Sequence, residues 1–304
     1  MATPVRASFP TMADDSGAQS FAITEAGAIA FDSINFSSKG RVTALFERSF
    51  YIETEECWMC FGPDGLYLGP LNIRTNAPPT INWQASGLSV DDRVRASSSD
   101  IFIGNRFSFS YRDVVIWRPD PPPVLEKEKI RIGLSNIANI GTELAPSEGL
   151  APYVFNTSDR SHILSNAKSA IGNLEKIFQR QDFERPVSLM IGLGPGLTPS
   201  GDDFLGGMMI TLKILGEDRL QEDLTARIKT VYSATNEISR AHLDSAALGV
   251  GAEPLHAAID SIISNNETEM ADVLKRVSAI GHCSGWDALT GAVVTLRAWL
   301  AQES

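Results

Sequence analysis

Between Phe21 and Trp117 the apolar positions come in short runs, several alternating with polar ones, and never at helical spacing. Residues 21–25, 41–46, 49–54 and 65–71 are rich in aromatic or β-branched side chains and bounded by turn formers, so they predict strands. Phe107, Phe109 and Tyr111 alternate with Ser108 and Ser110, which predicts a hairpin over 101–110 that turns at Gly104 and Asn105. Residues 61–66, with Gly62, Pro63 and Gly65, predict a second hairpin loop. Repeated short strands of this kind predict a small barrel or sandwich over 18–118. Arg118-Pro-Asp-Pro-Pro-Pro123 cannot continue a helix or a ladder, so 119–124 reads as a stiff linker. Beyond it the period changes to that of helices, predicted at 161–180, 204–215, 221–234, 237–248, 255–264, 269–278 and 287–301. Over 125–155, Gly133, Gly141, Pro146, Gly149 and Pro152 predict that no long helix forms. The apolar run 187–191 reads as a buried strand or the entry to one. The fold class is therefore α+β: a β-rich amino-terminal domain, then a mainly helical domain over 125–304.

Composition narrows the partners more than the fold. The chain has 304 residues, 43% hydrophobic and 21% charged, enough to bury a core without disulfides or metals. A net charge of −11 with no basic run argues against nucleic acid. No apolar run approaches the roughly 20 residues that a membrane span needs. Residues 1–17 lack an apolar signal core and predict a disordered tail. Three cysteines, an odd and sparse count, suit a reducing compartment, so a cytoplasmic protein is expected. Cys57-Trp-Met-Cys60 is formally C-x-x-C, but in a strand its thiols would face opposite sides, and they read as core thiols.

One stretch stands out chemically. Residues 191–207, IGLGPGLTPSGDDFLGG, hold six glycines and two prolines in seventeen positions and lead into FLGGMMITLKIL, a run apolar almost all round. This predicts a glycine-rich loop opening onto the amino end of a buried helix. Its N–H groups can cradle an anion at the helix dipole, or the glycines can simply let backbones approach closely. The spacing of Gly196 and Gly201 starts a P-loop, but Asp202 and Asp203 stand where Lys and Ser or Thr are required. Glycines at 192, 194 and 196 also miss the dinucleotide pattern. Ser200 as N-cap with Asp203 three residues on resembles a capping box. The same two carboxylates also suit a polar ligand or Mg²⁺, the one candidate cofactor. No zinc spacing such as H-E-x-x-H occurs.

Two further groups of polar residues are candidates. Thr235, Ser239 and His242 share one predicted helix face, either a polar wall of the site or a hydrogen-bonded interior. His282 lies just before the last helix, placed to act as an acid or base or else to pack on Trp286. The chain also echoes itself. Residues 200–213 align without gaps on 284–297, a shift of 84, with seven of fourteen positions identical. A weaker echo pairs His162 with His242. The alignment predicts two loop–helix units meeting as a pseudo-symmetric pair. Asp203 and Asp287 would hold equivalent places, Gly207 and Gly291 would allow close approach, and Thr198 would correspond to His282.

GLGPGLTPSGDDFLGG, followed much later by Gly281-His-Cys-Ser-Gly-Trp-Asp287, resembles the oxamate carbamoyltransferase subunit family of allantoin catabolism. The resemblance implies a subunit of a multi-protein carbamoyltransferase in purine or pyrimidine nitrogen breakdown, partnered by other subunits and a small-molecule substrate. It implies no catalytic residues. From the residues themselves, His282, Asp203 and Asp287 are the catalytic candidates. Gly194, Gly196, Thr198, Ser200, Gly201, Asp202, Ser239, His242, Ser284 and Gly285 are the candidates for holding ligand. A non-catalytic binding or assembly subunit and a metal-assisted amide hydrolase remain the alternatives.

Overall fold

A computed structural model of the chain describes residues 18–36, 39–55, 57–158, 162–179 and 183–303. The expected tail at 1–17 lies outside them. The chain forms two compact units, Met1–Arg118 and Pro119–Ser304.

The first unit is a barrel. Its strands are β1 (Gln19–Gly27), β2 (Lys39–Leu45), β3 (Phe50–Thr54), β4 (Trp58–Pro63), β5 (Asn72–Thr75), β6 (Arg93–Ala96), β7 (Asp100–Ile103), β8 (Phe107–Ser110) and β9 (Val115–Trp117). They lie in the order β5-β4-β3-β2-β6-β7-β8-β1-β9, and β1 also pairs with β5, so eight strands close on themselves. Closure removes exposed sheet edges. Within the barrel Phe50 and Phe109 meet Trp83, and Phe61 meets both of those phenylalanines, with ring centroids from 4.8 to 6.1 Å apart. Phe107 and Phe109 point inward while Ser108 and Ser110 stay half-buried, as the alternation predicts.

Two expectations here are overturned. Residues 65–71 are not a strand, and 61–66 is not a hairpin loop, because β4 and β5 run parallel with Cys60 opposite Asn72. Leu68 and Leu71 are apolar because they are buried inside the crossover, not because they extend in a ladder. A helix, α1 (Ala28–Phe36), also follows β1 directly, in a region read as strands alone. Of the two nearby thiols, Cys60 is buried and Cys57 half-buried.

The second unit is helical: α2 (Lys127–Leu144), α3 (His162–Leu174), α4 (Glu184–Met190), α5 (Ser200–Ile214), α6 (Asp218–Thr230), α7 (Glu237–Ala247), α8 (Glu253–Ser264), α9 (Glu267–Val277) and α10 (Ser284–Leu300). Helix α3 is shorter than predicted; Arg180 lies outside the described residues. Helix α2 contradicts the expected breaks. Its glycines are there for packing, since a Cβ at Gly133 would lie 2.1 Å from Ile262 O and one at Gly141 2.3 Å from the Phe155 ring. The run 187–191 is also helical, within α4 and its cap. A short apolar run carries no period long enough to separate strand from buried helix.

At the centre α5 lies along α10, the most extensive helix–helix contact in the chain. Twelve of the fifteen residues of α5 are buried, which is why its sequence shows no polar face. A Cβ at Gly207 would sit 1.9 Å from Ala288 O, and one at Gly291 would sit 2.0 Å from Phe204 O. Positions 204 and 288 are themselves related by the 84-residue shift, so the contact is reciprocal. The pairing extends to the turns that precede each helix. Gly201 N donates to Leu193 O at 2.9 Å and Gly285 N to Ile280 O at 3.1 Å. Asp203 N donates to Pro199 O and Asp287 N to Cys283 O. Thr211 and Thr295 each return a hydroxyl to the carbonyl four residues back, at 2.8 Å in both. The internal repeat is a pseudo-two-fold pair of helices.

Candidate functional site

Glycine carries the first of the two helix starts. Gly192, Gly194 and Gly196 all have positive φ, at 73°, 118° and 97°, which side chains other than glycine resist. A Cβ at Gly196 would meet nothing within 4 Å, so that position opens outward. The N–H groups of Gly194, Gly196 and Thr198 have no acceptor among the described residues. The apex is held by Asn236, whose side-chain amide donates to Leu197 O at 2.9 Å while its carbonyl caps α7 by accepting from Ser239 N.

Adjacent carboxylates take opposite roles. Asp202 turns away from the pair of helix starts: one oxygen accepts from Gly192 N at 2.7 Å, and the other from the hydroxyls of Ser239, at 2.6 Å, and Thr235. It ties the loop and α7 to α5. Asp203 turns toward α10. Its Oδ2 is shut off from solvent with no partner among the described residues. Burial, then the charge of Asp287, pushes this carboxyl well above the carboxylate range, with the Ser284 and Thr198 hydroxyls pulling the other way. Asp287 is 1% exposed, and burial raises it to about 7 against the Leu150 N–H and the Ser200 hydroxyl. Its Oδ1 accepts from Leu150 N at 2.6 Å, and its Oδ2 is likewise orphaned. Each aspartate thus meets the serine that opens the other helix, Asp203 with Ser284 and Asp287 with Ser200. The two starts are also joined directly, because Thr198 Oγ1 and Ser284 Oγ share a hydrogen bond of 2.8 Å.

The capping box does not form. Pro199 is the N-cap of α5 and makes no side-chain cap bond, and Ser200 is already helical. Its hydroxyl instead lies near the opposite carboxyl, Asp287, whose pKa it pulls down.

Residues 190–296 match the family model of oxamate carbamoyltransferase subunit AllH. The chain is AllH-like over this stretch. The match begins at the end of α4 and closes near the end of α10, so it contains both helix starts. No solved structure matches the chain.

The AllH-like stretch brings together Gly194, Gly196, Thr198, Ser200, Gly201, Asp203, Ser284, Gly285 and Asp287. It leaves others apart. Thr235 precedes α7 in an extended conformation rather than sharing its face, yet it reaches Asp202 together with Ser239. His242 is held neutral by burial, its pKa lowered to about 4. His256 is lowered to about 4 in the same way, and its Nε2 accepts from Gly251 N at 3.0 Å. His162 is exposed at the start of α3. His282 does not pack on Trp286, whose Nε1 donates to Ser278 and whose ring stands edge-on to Phe155 at 5.0 Å. It is exposed instead, with Nε2 at 2.8 Å from Glu148 Oε2. Sequence reasoning missed the segment 148–150, which brings Glu148 to His282 and the Leu150 N–H to Asp287. A glycine followed by an apolar pair gives no signal for such a role. Among the described residues, no helix is long and apolar enough to cross a membrane.

Proposed function

We propose that this chain is a subunit of an oxamate carbamoyltransferase assembly and that its paired helix starts hold a small anionic amide or carbamoyl phosphate. The observation that carries the reading is the family match, because it spans both helix starts and the two carboxyls between them. In carbamoyl transfer the acceptor nitrogen attacks the carbamoyl carbon, the bond to the phosphate oxygen breaks, and the nitrogen gives up a proton. Free N–H groups at Gly194, Gly196 and Thr198 suit the phosphate or the oxyanion. Asp203 and Asp287 suit the amide hydrogens. Because both carboxyls are pushed upward, the pair carries less than its full charge near neutrality, which eases the approach of an anion. His282 lies at the rim as the acid or base. Asp202 already accepts on both oxygens, so a Mg²⁺ ion here would fall to Asp203 and Asp287.

A second reading is a binding or assembly subunit whose chemistry is completed elsewhere. It is favoured by the absence of a serine–histidine contact among the described residues of the site, since Ser200 and Ser284 each face a carboxyl. Carbamoyl phosphate binding, and phosphate release with oxamate, should be measured on the chain alone and in the reconstituted assembly. We expect binding to both, and a loss of more than about tenfold in Gly196→Val, where a β-branched residue both strains the backbone and fills the opening. Binding without turnover by the chain alone selects the second reading. No binding in either preparation would end both.

A further inference from the structure

Two loops from distant parts of the chain meet beside Asp287. Leu150 N donates to its Oδ1 at 2.6 Å, and its own backbone N donates to Cys283 O at 2.9 Å. Asp287 therefore ties Leu150, through its carboxyl, to Cys283, through its backbone N–H. A Cβ built on Gly149 shows how tightly: it would stand 2.5 Å from Asp287 Oδ1, 3.0 Å from Oδ2 and 3.0 Å from Cys283 Cβ. The consequence is a cluster of three different metal-binding side chains. One oxygen of Glu148, one ring nitrogen of His282 and the sulfur of Cys283 all lie within 4.8 Å of one another.

We propose that Glu148, His282 and Cys283 bind a divalent transition metal of the zinc type. The ligand set is one carboxylate oxygen, one imidazole nitrogen and one thiolate, the borderline mixture that zinc accepts and that magnesium and calcium do not. Zinc bond lengths put tetrahedral ligands about 3.3–3.6 Å apart. The observed span closes to that by rotation of Glu148 and His282, whose side chains are 58% and 83% exposed and free to turn. A second observation points to a cation independently. Asp287 is almost wholly buried, yet its Oδ2, which like Cys283 Cβ lies 3.0 Å from where a Cβ on Gly149 would stand, has no partner among the described residues. An orphaned buried carboxylate oxygen is costly unless a cation, or a donor bound to one, completes it. Three protein ligands leave a fourth position open, which is the arrangement of zinc sites that hold water or a ligand rather than purely structural ones. No sequence motif announces the site, because Glu148 lies 134 positions before His282. The proposal does not rest on the carbamoyltransferase reading, and with metal bound His282 is a ligand instead of that reading's acid or base.

The test uses the full chain, stripped with chelator and titrated with Zn²⁺ and with Co²⁺. We expect one metal per chain and a thiolate-to-cobalt charge-transfer band in the near ultraviolet. Cys283→Ser should abolish the band. Glu148→Gln and His282→Ala should each weaken Zn²⁺ binding at least as much as the roughly 10–100-fold that losing an outer-shell partner costs. The double change Cys57→Ser with Cys60→Ser should leave the band intact. Melting curves in chelator establish that each variant is folded. No band in the unaltered chain, or a band that survives Cys283→Ser, overturns the site. Failure to take up metal in a chain that still binds carbamoyl phosphate overturns the site while leaving the proposed function standing.

Discussion

Asp287 is the residue whose environment has the most direct measurable consequence. Its carboxyl titrates near 7 when folded against an ordinary value of 3.8. A raised carboxyl binds its proton more tightly in the folded chain, so its contribution is full below about 3.8 and is lost as pH rises toward 7. At about 1.36 kcal/mol per pKa unit the loss is at most about 4 kcal/mol. In chelator, urea unfolding of Asp287→Asn should therefore lose less stability than the unaltered chain between pH 4 and pH 8. Parallel profiles would show that this carboxyl is not held protonated. Its neighbour in the first copy behaves differently. Asp202 satisfies three donors, so Asp202→Ala should cost about 3 kcal/mol or more, by stranding Gly192 N and two hydroxyls. The sequence marks Asp202 and Asp203 as a pair but not as opposites. Successive residues on a helix point about 100° apart, and which one faces α7 and which faces α10 depends on where those helices lie.

At the scale of elements, the close approach of α5 and α10 depends on two glycines and not on a third beside them. Gly207→Ala and Gly291→Ala each drive a Cβ into a carbonyl of the partner helix, and should cost about 1–3 kcal/mol or more. Gly206→Ala meets only Ala246 Cβ, at 3.7 Å, and should be neutral or gain up to about 1 kcal/mol of helix propensity. Chemical denaturation of the three variants checks this; equal effects would mean that the helices are not in glycine-limited contact. The repeat was legible because Ser-Gly-x-Asp, the glycine and the threonine recur at one shift. Helices α2 and α4 were not. In α2 the glycines that read as breaks are sites of close packing, and α4 is too short to show a period.

For the whole molecule, residues 119–126 carry no regular structure, and Val124 is 80% exposed. A broad-specificity protease should therefore cut first near Val124, leaving fragments close to the two compact units. Trypsin should not cut after Arg118, because the next residue is proline. Mass spectrometry of an early digest decides it, and first cuts within the helical unit would mean that the junction is protected.

The change of hydrophobic period near Pro119, the β-rich and helical halves, the buried character of α5 and the internal repeat are local properties, set by side-chain spacing, and the sequence alone determined them. Closure of the barrel through β1 and β5, the parallel crossing from β4 to β5 and the meeting of Glu148 with His282 were decided by tertiary structure. Each depends on which distant segments share a surface, and the period of a segment says which face is buried without saying what covers it. The same holds at the candidate site. Sequence placed two aspartates at two helix starts, but only the crossing of those helices set each carboxyl against the other's serine and left one oxygen of each without a partner.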